Sequence, residues 1–150
     1  MKSEEAIKMM NKVQTETVDE FGVMMLQVAS TANTMIKARI TEKGLNAEGA
    51  KFPDYSPRYK KFREAKGRQT SFVDFAFTGN MWSNVKVVSS DSEHKKGLAR
   101  ISTTTQDAED KLSGNTEKKG TILDLNKEEI NELSKQMEDA LVEIWHKNGL

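Results

Sequence analysis

Phe52-Pro53-Asp54-Tyr55-Ser56-Pro57, with the twenty-five residues after it, decides how this chain is read. Arg58-Tyr59-Lys60-Lys61-Phe62-Arg63 comes next and, beyond Gly67-Arg68, Phe72-Val73-Asp74-Phe75-Ala76-Phe77-Thr78-Gly79-Asn80-Met81-Trp82. Residues 44–82 hold both prolines, both tyrosines and five of the six phenylalanines. Ser56 suits a helix cap and Pro57 the first helical position, so the spacing predicts a short helix that Gly67 ends. Its outer face is expected to carry Arg58, Lys60, Lys61, Arg63 and Lys66, with Tyr59 and Phe62, three apart, facing inward. Val73, Phe75 and Phe77 alternate with Asp74, Ala76 and Thr78, the period of a half-buried strand. Thr78-Gly79-Asn80 ends that strand, and Thr78 could cap a single turn carrying Met81 and Trp82.

On the N-terminal side, residues 1–43 read as one long helix. Val18, Phe21, Met25, Val28, Ala32 and Met35 recur at steps of three and four and line one stripe. Ile7, Met10 and Val13 extend it less regularly. Gly44 is placed to end the helix in left-handed backbone. Some 40 residues would span roughly 60 Å, more than a domain of this size. Either the helix breaks, near Gly22 or between Ala29 and Asn33, or it projects and packs on something else.

On the C-terminal side, Val85 to Val88 reads as a strand, Asp91 to Gly97 as a polar turn, and Leu98 to Thr104 as the hairpin partner. Asp107 to Leu112 reads as a helical turn, Ser113-Gly114-Asn115 as a loop, and Thr121-Ile122-Leu123 as a short strand. The last helix is signalled by Asn126 with Glu129 three residues later, the spacing of a capping box. Leu125 and Ile130 have the spacing of a hydrophobic staple. Ile130, Leu133, Met137, Leu141 and Ile144 form its apolar stripe. The expected fold is α+β, one domain over 1–150. It comprises a long N-terminal helix (1–43), a loop and short basic helix (44–71), a small antiparallel sheet of three to four strands with loops (72–125), and a C-terminal amphipathic helix (126–147).

Composition narrows the functions. The chain has 150 residues, 36% of them hydrophobic and 31% charged, which implies a thin core or a large polar surface. Such a chain can complete its burial against copies of itself. It has no cysteine, so disulfides and thiolate metal sites are excluded. No run of about 18 apolar residues reads as a membrane span, and the acidic start lacks the apolar core of a signal peptide. His94 and His146 are too isolated to build a multi-histidine zinc site. No phosphate-binding glycine loop is present. The serines and threonines lack a paired base, and Asp107, Glu109 and Asp110 read as a solvated helix start rather than a magnesium site. No catalytic, cofactor or metal residue is therefore assigned, and the expectation is a protein that is not an enzyme.

Net charge is zero but divided. Residues 51–68 carry seven Lys or Arg against two acids, and residues 107–150 carry eleven acids against six lysines. Opposite poles on one small domain can steer it onto nucleic acid or onto the opposite pole of another copy; the alternative is two solvated faces. Basic residues interleaved with Tyr55, Tyr59 and Phe62 also suit phosphate contact and base stacking.

One ordered series has a family character. Arg39-Ile40, Lys43-Gly44-Leu45-Asn46, Gly49, Tyr55-Ser56, Tyr59, Gly67-Arg68, Val73-Asp74-Phe75 and Thr78-Gly79-Asn80-Met81 succeed one another. Gly120-Thr121-Ile122-Leu123 and the capped helix from Asn126 come after. The series resembles the small tail-completion, or head–tail joining, proteins of tailed bacteriophages. The resemblance implies a structural virion protein of the neck, located at the head–tail interface and assembled in the host cytoplasm. It implies a ring, sixfold or twelvefold, that joins portal or adaptor proteins to the tail tube, with DNA passing through the channel. The contact residues expected on that reading are Tyr55, Arg58, Lys60, Lys61, Arg63 and Arg68 on the basic side. Glu128, Glu132 and Asp139 are expected on the acidic side. The alternative is a DNA-binding accessory protein that uses residues 51–68.

Overall fold

A computed structural model describes residues 3–149. Met1, Lys2 and Leu150, which the expected helix and domain include, lie outside the described residues. The elements run α1 (Ser3–Lys43), α2 (Pro57–Ala65), α3 (Asn80–Ser83), β1 (Val85–Val88), α4 (Asp91–Lys95), β2 (Arg100–Thr103), α5 (Gln106–Lys119) and α6 (Lys127–Lys147). Among the described residues the fold is mainly helical, with one small antiparallel sheet. β1 and β2 form that sheet, paired Val85 to Thr103 and Val88 to Arg100.

α1 is a single uninterrupted helix of 41 residues. It does not break at Gly22 or between Ala29 and Asn33; its second half is packed and its first half projects. α6 runs antiparallel along the second half. At one end Arg39 Nη1 meets Glu129 Oε2 at 2.9 Å, and Arg39 Nη2 donates to the Asp124 carbonyl at 2.7 Å. At the other end Lys147 and Asn148 both bond the Glu20 carboxylate. Between these clamps Met24, Val28 and Ala32 of α1 pack with Leu133 and Ile144 of α6. A second cluster joins Ile36 and Ile40 to Phe52, Val73, Phe75, Met81, Trp82, Val85 and Ile122. α1 is thus the spine that both clusters share.

α6 begins with the expected capping box: Asn126 accepts from the Glu129 amide, and Glu129 accepts from the Asn126 amide. Glu129 also takes the Arg39 guanidinium, which places it in the core. Ile130 is not on the buried stripe; about half of it is exposed, and Leu133, Met137, Leu141 and Ile144 carry the packing.

Several local readings are corrected. The sheet has two strands, not three or four. Residues 73–77 are not a strand: Val73, Asp74 and Phe75 are all buried in succession, and Phe75 has φ of 52°. The Asp74 and Phe75 amides donate to the Tyr55 hydroxyl, and the Ala76 amide to the Asp74 carboxylate. The backbone therefore wraps a tyrosine oxygen instead of offering a ladder. Thr121-Ile122-Leu123 pairs with no strand; Ile122 fills the core from a loop. Asp91–Lys95 is a helical turn, α4, because Ser90 and Glu93 form a capping box. Ser113-Gly114-Asn115 lies inside α5, which Thr105 caps and which buries Ala108.

Gly44 ends α1 as expected, with φ of 64° and its amide donating to the Ile40 carbonyl at 2.9 Å. A Cβ there would stand 2.6 Å from the Phe72 Cβ. The left-handed backbone and the overlap act in the same direction. Gly44→Ala is therefore expected to destabilise the protein by about 1–3 kcal/mol, read as a lower urea midpoint. An unchanged midpoint would show that the α1 terminus can relax away from Phe72.

Candidate functional site

Arg63 organises the region that the sequence marked as basic. It was expected on the outer face of α2, but it is 1% exposed. Its Nη2 lies 3.2 and 3.3 Å from the two Asp74 carboxylate oxygens. Its Nε donates to the Gln69 carbonyl at 3.0 Å and its Nη1 to the Ala76 carbonyl at 3.1 Å. The guanidinium carbon lies 4.6 Å from the Tyr55 ring centroid. A charge this buried persists only when paired and hydrogen-bonded, and each donating edge here has a partner.

Asp74 is equally occupied. It accepts from the Tyr55 hydroxyl at 2.9 Å and from Gln69 Nε2 at 2.7 Å, besides Arg63 and the Ala76 amide. Its carbonyl takes the Trp82 indole N–H at 2.9 Å. Burial, reinforced by the neighbouring Asp74 carboxylate, pushes the Tyr55 hydroxyl up to about 12. Tyr55 and Arg63 are therefore structural members of this network, not free contact groups.

The remaining predicted residues stay outside. Arg58, Lys61 and Arg68 are exposed. Lys60 pairs with Asp54 at 3.0 Å, and Arg68 lies over the Phe77 ring at 5.5 Å. Phe62 is turned outward, not inward, and stacks between Tyr59 and Phe77 at centroid distances of 6.0 and 5.4 Å. The reason is the helix phase. With Arg63 taken into the core by Asp74, its neighbour Phe62 is rotated about 100° away. On α6, Glu128 and Glu132 line a shallow groove with Arg39 and Lys43, and Asp139 is exposed further along the helix. The groove brings Glu128 and Glu132 together, and Asp139 is not among its lining residues.

Beside the network a cleft of about 650 Å³ opens between α2 and α5. Tyr55, Tyr59 and Phe77 form one wall; Lys111, Lys118 and Lys119 of α5 contribute to the other. Lys119 Nζ donates to the Pro53 and Asp54 carbonyls, which ties α5 to the loop before α2. Lys118 and Lys119 escape the sequence pattern, because Asp107 to Leu112 reads as a helical turn and Ser113-Gly114-Asn115 as a loop, which leaves both lysines in no element. Continuing the helix from the Thr105 cap through Gly114 would have placed them on one element. Among the described residues no cluster of three His, Cys, Asp or Glu side chains could hold a metal ion. Nor is any helix among them long and apolar enough to cross a membrane. No family model, curated protein or solved structure matches the chain.

Two measurements probe the network. Arg63→Ala strands Asp74 in the core and is expected to cost about 3–5 kcal/mol, whereas Arg58→Ala stays within about 0.5 kcal/mol. Urea denaturation checks both, and an Arg63→Ala chain as stable as the parent would remove the network from its central place. Separately, the Tyr55 pKa in the folded protein lies above its unfolded value of about 10. Its contribution to stability is present below pH 10 and lost as pH rises toward 12. In an ultraviolet absorbance titration one of the two tyrosines should ionise only near pH 12, and Tyr55→Phe should abolish that step. If Tyr55→Phe leaves the late step in place, the hydroxyl is not in the Asp74 network.

Proposed function

We propose that this protein is a structural subunit of a bacteriophage neck. It would be a tail-completion or head–tail connector protein that assembles as a ring, sixfold or twelvefold, between portal or adaptor proteins and the tail tube. The observation that carries the reading is where the family-like residues sit. Tyr55, Val73-Asp74-Phe75 and Met81 are apart in sequence, yet they meet in one block with Arg63, and Gly44 packs beside it against Phe72. An ordered series of this kind then reads as one architectural unit and not as scattered matches.

Two features support assembly over solitary function. The first 17 or so residues of α1 extend about 25 Å past α6, and Ile7, Met9 and Met10 there are 56%, 61% and 69% exposed. A chain that leaves such a methionine-rich surface uncovered is suited to finish its burial on a partner. The outward residues of α2 and α6 also keep opposite charge, which suits a heterologous contact between different surfaces. The role is structural, without catalysis, at the virion head–tail interface after assembly in the host cytoplasm. DNA passing through the channel is the remaining partner.

A DNA-binding accessory protein is the second reading. It draws on Tyr59, Phe62 and Phe77 rising among Arg58, Lys61 and Arg68. Steep, salt-sensitive retention of DNA would favour it. The ring reading is tested with Lys60→Glu/Lys61→Glu. Both side chains lie outside the buried network, so the monomer should fold with unchanged circular dichroism while rings vanish from negative-stain images. Rings that form normally would take α2 out of the subunit contact.

A further inference from the structure

The outer face of α6 and the cleft between α2 and α5 are complementary in shape class and in charge. Glu138, Val142 and Trp145 fall at i, i+4 and i+7 on α6, so they share one face. That face points away from Leu133 and Ile144, which hold α6 to α1. Trp145 is 59% exposed and Val142 50%. An exposed tryptophan beside an exposed valine, rimmed by Glu138, Asp139 and Glu143, is a compact apolar knob with an acidic border. Large rings of this kind dominate binding energy when they enter a desolvated pocket.

The cleft has the opposite character. One wall is aromatic, from Tyr59 and Phe77; the other carries Lys111, which pairs with Asp107, Lys119, which bonds the Pro53 and Asp54 carbonyls, and Lys118. Its volume of about 650 Å³ lies in the range of sites that receive a bulky group. The knob cannot fill the cleft of its own chain, since α6 is held along α1 from Glu20 to Arg39. We infer that the α6 knob of one copy, Trp145 with Val142, docks in the α2–α5 cleft of a second copy, its Glu138 and Glu143 facing Lys118. The contact is heterologous, because knob and cleft are different surfaces, and so it repeats head to tail. This rests on the ring reading, and it assigns the residues through which neighbouring subunits meet.

The test uses the full chain and tracks assembly by sedimentation across a concentration series. Trp145→Ala is expected to raise the concentration for half assembly about tenfold or more. Circular dichroism should stay unchanged, since Trp145 lies on the surface. Lys118→Glu should weaken assembly likewise, and Lys118→Glu combined with Glu138→Lys should restore much of it. A parent chain that stays monomeric at every concentration would overturn the ring reading and this contact with it. A parent that assembles while Trp145→Ala assembles equally well would overturn this contact and leave the ring reading standing. If Trp145→Ala weakens assembly but Lys118→Glu does not, the knob does not enter this cleft and the inference fails. Binding of oligo-dT to the Trp145→Ala chain that Lys118→Glu abolishes would give the cleft to nucleic acid, and would overturn the inference too.

Discussion

A buried charge must be satisfied completely or it unfolds its surroundings, and the centre of this protein is arranged around one such charge. Arg63 lies in the core with its donors on Asp74, Gln69 and Ala76. Meeting that demand fixes much else. It sets the phase of α2, because only one rotation brings Arg63 inward. It holds residues 69–76 as a coil, because their backbone amides and carbonyls go to side chains and not to a neighbouring strand. It also brings Tyr55 and Trp82 onto the same aspartate, which ties the loop before α2 to α3. The positive φ of Phe75 is a local cost of about 1–2 kcal/mol, and the amides bonded to the Tyr55 hydroxyl hold the residue there.

The rest of the fold hangs on α1. Residues 20–43 of it supply the shared wall of both hydrophobic clusters and take α6 through two polar clamps, one buried and one exposed. The buried clamp does double duty, since Glu129 caps α6 and also neutralises Arg39. Residues 3–16 have no such cover. At 3.6 residues per turn, Met10, Thr17 and Phe21 continue the stripe that Met24, Val28 and Met35 begin. The surface that α6 occupies therefore runs on beyond the end of α6. A chain with a thin core and an extended apolar stripe has stability to gain from association, which is the physical content of reading it as an assembly subunit.

What could be read in the sequence was what local rules control. Helix periodicity, the stop at Gly44, the Ser56-Pro57 start and the Asn126/Glu129 box all appear where spacing placed them, because each depends on residues within a turn or two. The hairpin of β1 and β2 was legible for the same reason. The α4 box was equally local: Ser90 and Glu93 carry the same three-residue spacing as Asn126 and Glu129. The failures came where a distant partner overrides a pattern. Residues 73–77 alternate like a strand, but Asp74 in their midst needs a buried cation, and Arg63 eleven residues earlier supplies it. A lone acid inside an aromatic run was the signal that could have found the pair. Ile130 fits the α6 stripe by number, yet α1 covers a narrower face than the stripe. The cleft was not legible because its second wall lies on α5, where Gly114 interrupts the helical pattern before Lys118 and Lys119.

The basic segment accordingly separates into two layers: an inner one of Tyr55, Arg63 and Asp74 that builds a rigid block, and an outer one of Arg58, Lys60, Lys61 and Arg68 that lies outside it. Rigidity in a segment without regular secondary structure is the central claim, and hydrogen exchange read by mass spectrometry measures it directly. The amides of Asp74, Phe75 and Ala76 should exchange as slowly as those in the second half of α1, because they are bonded to the Tyr55 hydroxyl and the Asp74 carboxylate. Exchange at the rate of an open loop would contradict the claim.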